Sequence, residues 1–205
     1  VRLIVSTPEG EARVELHSPA AAAHGVLLLG HGAGGGIRAP DLQVTAEAAL
    51  AQSWAVGLVE QPYRVQGRRA PPRAGRLDSA WIRVAARVRE DRDALGGLPL
   101  VCGGRSSGAR VACRTATETG AVGVLCLAFP LQPSGGSGAT PPPSRLPELD
   151  AVTVPTLVVQ GEQDRFGMPP PGPSRDVIAI AGDHSLKRDP EGLALAVGIW
   201  LAARS

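Results

Sequence analysis

The stretch Leu100-Val101-Cys102-Gly103-Gly104-Arg105-Ser106-Ser107-Gly108 decides the fold. It starts as a short apolar run and ends in the pattern G-x-S-x-G. A serine placed this way, directly after a buried strand, fits a cramped strand-to-helix turn that holds its hydroxyl over the end of a sheet. Glycines two residues to either side let the backbone turn without Cβ clashes. The pattern alone is a weak signal in a chain with 26 glycines among 205 residues, so its surroundings must support it.

They do. Further apolar runs lie at Val26 to Leu29, Trp54 to Val59, Val122 to Phe129, Thr156 to Val159 and Val177 to Ile180. Short continuous runs of this kind predict strands buried on both faces, as in a parallel sheet. Ahead of them, Val1 to Val5 and Ala12 to His17 alternate weakly around Thr7-Pro8-Glu9-Gly10, which predicts a hairpin at a sheet edge. Helical patterns fall between the strands. Residues 77–95 place Leu77, Trp81, Val84, Ala85 and Val88 on one stripe, with Asp78 or Ser79 as cap. Residues 107–119 form a small-residue helix ending at Gly120. Residues 41–52 and 190–203 follow Pro40 and Pro190, each suited to a first turn. The alternation predicts a three-layer α/β fold with a mostly parallel central sheet and helices on both faces, as one domain over residues 1–205. Pro62 to Gly75 and Gln132 to Pro147 fit no element and read as loops. No insertion between strands is long enough for a helical lid domain.

The bulk composition excludes several classes. The chain is 43% hydrophobic and 20% charged, with a formal charge of only +2. Aromatics are 3%, so neither a stacking platform nor a broad basic stripe for nucleic acid is present. Cys102, Cys113 and Cys126 lie in apolar segments with no C-x-x-C pair, as expected of buried reduced thiols in a cytoplasmic protein. No h-region is visible, and no apolar run approaches the ~20 residues of a membrane span, so no membrane partner is expected. Nothing implies a metal or an organic cofactor. The sequence does not fix an oligomeric state.

A serine hydroxyl is a poor nucleophile near neutral pH and needs a base, itself oriented by a carboxylate. His184, in Gly182-Asp183-His184-Ser185, is the one histidine after Ser106 and follows the run Val177 to Ile180. Asp164 follows the run Thr156 to Val159. Each therefore falls at the C-terminal edge of its strand, where open α/β sheets bind ligands. Glu162 is an alternative to Asp164, and Asp183 reads as a turn former. A tetrahedral oxyanion needs N–H donors. These are expected from the Ser107 amide and from the loop Gly30-His31-Gly32-Ala33-Gly34-Gly35-Gly36, with Ala33 favoured and Gly34 second. His31 reads mainly as a loop-shaping histidine. It is also a candidate substrate contact, as is Arg64 in the Arg-rich stretch 64–76. A small acyl substrate, an ester or thioester, is implied, carried as an acyl group on Ser106.

Two other classes compete. Gly30, Gly32 and Gly35 spell G-x-G-x-x-G after a strand, with Glu60 ending the next, which approaches a dinucleotide-binding loop and a Rossmann-type oxidoreductase. Gly36 to Pro40 then separates the last glycine from its helix, which that fold does not do. A P-loop is weaker still, because Ala109-Arg110 stands where Lys and Ser/Thr are required and the missing lysine removes the main phosphate contact. A catalytically silent scaffold on the same fold is the third class.

Taken together, Gly30 to Gly36 (GHGAGGG), Glu60 to Arg64 (EQPYR), Gly103 to Gly108 (GGRSSG), Phe129-Pro130, Pro155 to Gly167 and Gly182 to Ser185 (GDHS) resemble the α/β-hydrolase superfamily. The chain looks like the small lidless branch related to dienelactone hydrolase. Within it, the chain is similar to the testis-expressed hydrolase-like family, which shares its fold with a chromatin-complex subunit. The resemblance implies Ser106 as nucleophile, Asp164 as acid and His184 as base. Dienelactone hydrolases carry cysteine at the elbow, so Ser106 departs from their chemistry.

Overall fold

The apolar runs become strands, and the strands form one sheet. The computed structural model describes residues 1–90, 95–133 and 142–204. In chain order its elements are β1 (Arg2–Thr7), β2 (Gly10–His17), β3 (Gly25–Gly30), α1 (Pro40–Ala51), β4 (Trp54–Glu60), α2 (Pro62–Val65), α3 (Ala74–Arg89) and β5 (Leu100–Arg105). Then follow α4 (Ser107–Arg114), α5 (Ala116–Thr119), β6 (Gly123–Leu127), α6 (Leu146–Asp150), β7 (Thr156–Gly161), β8 (Arg175–Ile180) and α7 (Pro190–Ala202).

The sheet order is β1-β2-β4-β3-β5-β6-β7-β8. The β1–β2 hairpin pairs antiparallel and joins β4 antiparallel; all other pairings are parallel. Alternate side chains of each strand enter opposite layers. Val26 and Leu28 of β3 pack with Trp81, Val84 and Ala112 on the side of α3 and α4. Leu27 and Leu29 pack with Leu42, Ala46, Val197 and Leu201 on the side of α1 and α7. Every residue of β3, β6 and β7 is buried, which is why these strands read as unbroken apolar runs. No described helix is long and apolar enough to cross a membrane.

The structure corrects several sequence expectations. β8 is an edge strand, and Ile178 is exposed rather than buried on both faces. Its apolar run reflects one covered face and one paired edge. α3 begins at Ala74, so Asp78 and Ser79 lie inside it and cap nothing. The Asp78 carboxylate is instead held by Arg114 at 2.6 and 2.9 Å. Within Pro62 to Gly75, which reads as loop, the chain forms the short helix α2 and the start of α3. Residues 107–119 divide at Thr115, whose hydroxyl donates to the Val111 carbonyl at 2.8 Å and bends the helix there. Residues 91–94 of the expected 77–95 helix and 134–141 of the expected loop lie outside the described residues; the described tail of that loop runs into the start of α6.

Candidate active site

All six parallel strands end at the same rim, and the chemistry-bearing loops leave from there. Ser106 follows β5 and caps the start of α4. Its φ is 53° and its ψ −106°, a region that L-residues rarely enter and that costs on the order of 1–3 kcal/mol. The surroundings enforce it. The Ser106 N–H donates to the Leu127 carbonyl at 2.9 Å, and Gly104 and Gly108 both press against Gly30 at the end of β3. A Cβ at either glycine would run into the Gly30 carbonyl. The two glycines of G-x-S-x-G are therefore contacts of the elbow with the neighbouring strand.

The hydroxyl so presented meets a hydrogen-bonded chain. His184 Nε2 lies 3.0 Å from Ser106 Oγ, and His184 Nδ1 lies 2.7 Å from Asp164 Oδ2. Nδ1–H donates to the carboxylate, which leaves Nε2 free to accept the serine proton. Asp164 is a nearly fully buried carboxylate, which is costly unless its lone pairs are satisfied. Here the Phe166 N–H donates to Oδ1 at 2.9 Å and the Gln160 amide to Oδ2 at 2.8 Å. Gln160 is itself fully buried, and its two amide N–H are shared among Asp164 and the Phe129 and Gly167 carbonyls, at 3.1 and 2.9 Å. The Phe166 ring packs edge-on against the imidazole at 4.4 Å between centroids. Gln160 and Phe166 carry no motif signal, and sequence reasoning missed both. Glu162, the alternative carboxylate, is exposed, and Asp183 is used in a turn with Ser185.

Around the serine, Ser107 is the first residue of α4 and has no intrahelical acceptor for its N–H. The glycine loop approaches from β3, with Gly32 beside Ser106 and Arg105. Ala33 and Gly34 form the corner of a turn closed by the Gly35 N–H donating to the Gly32 carbonyl at 3.1 Å. Tyr63 donates its hydroxyl to the Ala33 carbonyl at 2.9 Å.

His31 does not face a ligand. It is buried, its Nδ1–H donates to the Gly32 carbonyl at 2.9 Å, and its Nε2 accepts the Gln61 N–H at 3.2 Å. Burial, more than any other cause, holds its pKa below the usual histidine value. Both ring nitrogens are spent inside the protein, so the expected substrate contact is replaced by a loop anchor. Arg64 is half-buried in α2, its guanidinium reaching the Arg68 carbonyl at 3.4 Å, and no contact ties it to Ser106 or His184. The dinucleotide reading of Gly30 to Gly35 fails on position: α1 begins only at Pro40, so no helix N-terminus follows the glycines directly. Ala109 stands where a P-loop would need lysine, and Arg110, at the Ser/Thr position, is bound to Glu148 at 2.6 and 2.8 Å. Among the described residues no cluster of side chains is suited to holding a metal.

Residues 23–191 match the family described as "Alpha/beta hydrolase domain". The chain belongs to the α/β-hydrolase family. Among solved structures it is similar to a serine hydrolase without lid from Xanthomonas campestris, at 18% identity and a TM-score of 0.78, covering 100% of this chain and 94% of that one. Est1E from Butyrivibrio proteoclasticus matches at 14% identity and a TM-score of 0.78, covering 99% and 98%. Dienelactone hydrolase from Anabaena variabilis matches at 19% identity and a TM-score of 0.72, covering 99% and 94%. At these identities the likeness is one of fold. No curated protein matches the chain.

Proposed function

We propose that this α/β hydrolase is a serine esterase or thioesterase that cleaves a small acyl substrate through an acyl-enzyme on Ser106. One observation carries the reading: the continuous chain from Ser106 Oγ through both nitrogens of His184 to the buried Asp164. As Oγ attacks the acyl carbonyl, its proton moves to His184 Nε2, and Asp164 stabilises the imidazolium. The oxyanion accepts from the Ser107 N–H, at the positive end of α4, and from the Ala33 or Gly34 N–H. Collapse expels the alcohol or thiol, which takes the proton from Nε2. Water then attacks the acyl-serine with His184 as base, releasing the acid and restoring Ser106. With no lid over the site among the described residues, short acyl groups are favoured over long lipids. The narrower kinship with the testis-expressed hydrolase-like family rests on the quoted motifs alone.

A fluorophosphonate probe tests the reading, because it reacts only with an activated serine. The wild type is expected to be labelled and Ser106→Ala not. Ester turnover is expected to fall by about 10⁴-fold or more in Ser106→Ala and in His184→Ala, with the double variant little worse because the residues act as a unit. A folded wild type that is neither labelled nor active would favour the silent scaffold.

A further inference from the structure

Arg105, the residue before the serine in the elbow, joins the elbow to the glycine loop, to α1 and to the histidine loop. Its backbone ends β5 immediately before Ser106. Its Nε lies 2.7 Å from Oδ2 of Asp41, an ion pair made off the straight hydrogen-bond line, and Asp41 sits in the first turn of α1. Its second terminal nitrogen donates to the backbone carbonyl of His184 at 3.1 Å. Its other terminal nitrogen lies against Gly32, close enough that a Cβ there would sit 2.8 Å away. One planar fork therefore touches the elbow, the glycine loop, α1 and the histidine loop. The guanidinium geometry suits this, since its donors point in fixed directions that one ammonium cannot reproduce.

Asp41 has little other purpose. Its side chain is 1% exposed, with Oδ1 accepting the neighbouring Leu42 N–H at 3.0 Å. Burial pushes its carboxyl up, and the adjacent Arg105 charge opposes that shift. A buried carboxylate at this place is sustained by the arginine, and in turn it fixes the arginine's direction. Arg105 and Asp41 also wall a cleft of about 460 Å³ with Gly35, Gly36, Ser185 and Lys187.

We propose that Arg105, anchored by Asp41, is a positioning residue that holds the backbone of His184 so that its imidazole bridges Ser106 and Asp164. This rests on the hydrolase reading above. The reason is mechanical. His184 stands on a loop after the edge strand β8, the least supported strand of the parallel set. The link from its carbonyl to Arg105 runs to the centre of the sheet. A misplacement of about 1 Å in such a site can cost roughly 100-fold in rate.

The test uses Arg105→Gln, Arg105→Lys, Arg105→Ala and the charge-balanced pair Arg105→Gln/Asp41→Asn, which removes both buried charges if a single variant folds poorly. Two readouts are taken. The first is hydrolysis of p-nitrophenyl acetate, where kcat is expected to fall about 10- to 100-fold with KM changed less than 3-fold. Arg105→Lys is expected to regain folding but only part of the rate, and millimolar guanidinium to restore part of kcat in Arg105→Ala. The second is the low-field proton resonance of His184 Nδ1–H without substrate, expected in wild type and broadened or lost in the variants. A folded variant that keeps both this resonance and wild-type kcat overturns the proposal. So does a change confined to KM, which would make Arg105 a substrate contact. If wild type hydrolyses nothing and takes no fluorophosphonate, the hydrolase reading fails, whereas the proton resonance still decides whether Arg105 places His184.

Discussion

Two glycine-rich turns lie side by side at the rim, GGRSSG after β5 and GHGAGGG after β3, and they are built on opposite principles. In the first, Gly104 and Gly108 are pressed onto the Gly30 backbone, and no side chain fits. In the second, Gly34 and Gly36 have nothing within 4 Å of the place a Cβ would occupy. The elbow is held by backbone on backbone. The glycine loop is held by side chains: the two ring nitrogens of His31 and the hydroxyl of Tyr63. A glycine-rich turn thus marks a rigid part in one case and, in the other, a part whose shape depends on its anchors. That division suits the proposed chemistry, in which the nucleophile must not move while the loop must admit an acyl group.

Gly108→Ala puts the first half of this comparison at greatest risk, because two effects oppose there. Gly108 lies in the first turn of α4, and helix propensity alone favours alanine by about 1 kcal/mol. The collision with the Gly30 carbonyl works the other way, and no rotamer change relieves a backbone contact. We expect the collision to win, with a net loss of about 2 kcal/mol or more and a Tm lower by roughly 5 °C or more in thermal unfolding. Fluorophosphonate labelling should slow in parallel as the elbow shifts. An unchanged or raised Tm would show that Gly108 is not packed as described.

What could be read from the sequence followed from locality. Strands buried on both faces write themselves as apolar runs, and a site assembled from loops after consecutive strands keeps its residues in a legible order. Ser106, Asp164 and His184 were therefore assignable as candidates, each from its own strand end, and the structure brings them within hydrogen-bond reach. Features set by distant partners were not legible. Nothing near Asp78 announces that α3 will begin four residues before it, at Ala74, or that Arg114 will claim its carboxylate. Nothing near Arg105 announces Asp41, 64 positions earlier and made acceptable only by burial. Gln160 reads as a polar end to an apolar run and becomes legible only once its amide is seen on Asp164. The exposed face of β8 was invisible because an edge strand covered on one side can carry the same short run as a central one.

The second half of the comparison can be sharpened by pH, since an anchor made of histidine titrates and a backbone contact does not. The His31 pKa is lowered in the folded protein. In the unfolded chain it returns to about 6.5. As pH falls through that value, the unfolded state binds a proton that the native state refuses, so stability falls on acidification until the native value is reached. Above it, His31 adds no pH dependence. A proton on Nε2 would face the Gln61 N–H, donor against donor. We expect wild type to lose stability between pH 7 and 5, with a slope from this group of at most about 1.4 kcal/mol per pH unit. His31→Asn keeps one donor for the loop and removes the titration. Its urea-unfolding free energy should start lower at pH 7 and change less toward pH 5. Parallel slopes for the two proteins would assign the acid sensitivity elsewhere.

Gly34→Ala carries the smallest effect and tests the open side of the loop. Gly34 is not at positive φ, and its Cβ position is empty, so alanine fits the native backbone without strain. The substitution then acts through the unfolded chain, which loses conformational freedom, and should stabilise by about 0.4–1 kcal/mol. The backbone N–H that the proposed mechanism could use is retained, so turnover of an acetyl ester should stay within about 2-fold of wild type. Gly108→Ala, chemically the same change, should lower both stability and labelling. If Gly34→Ala instead destabilised the protein by more than about 1 kcal/mol, the loop would be as tightly packed as the elbow. The distinction between a rigid turn and an anchored one would then be lost.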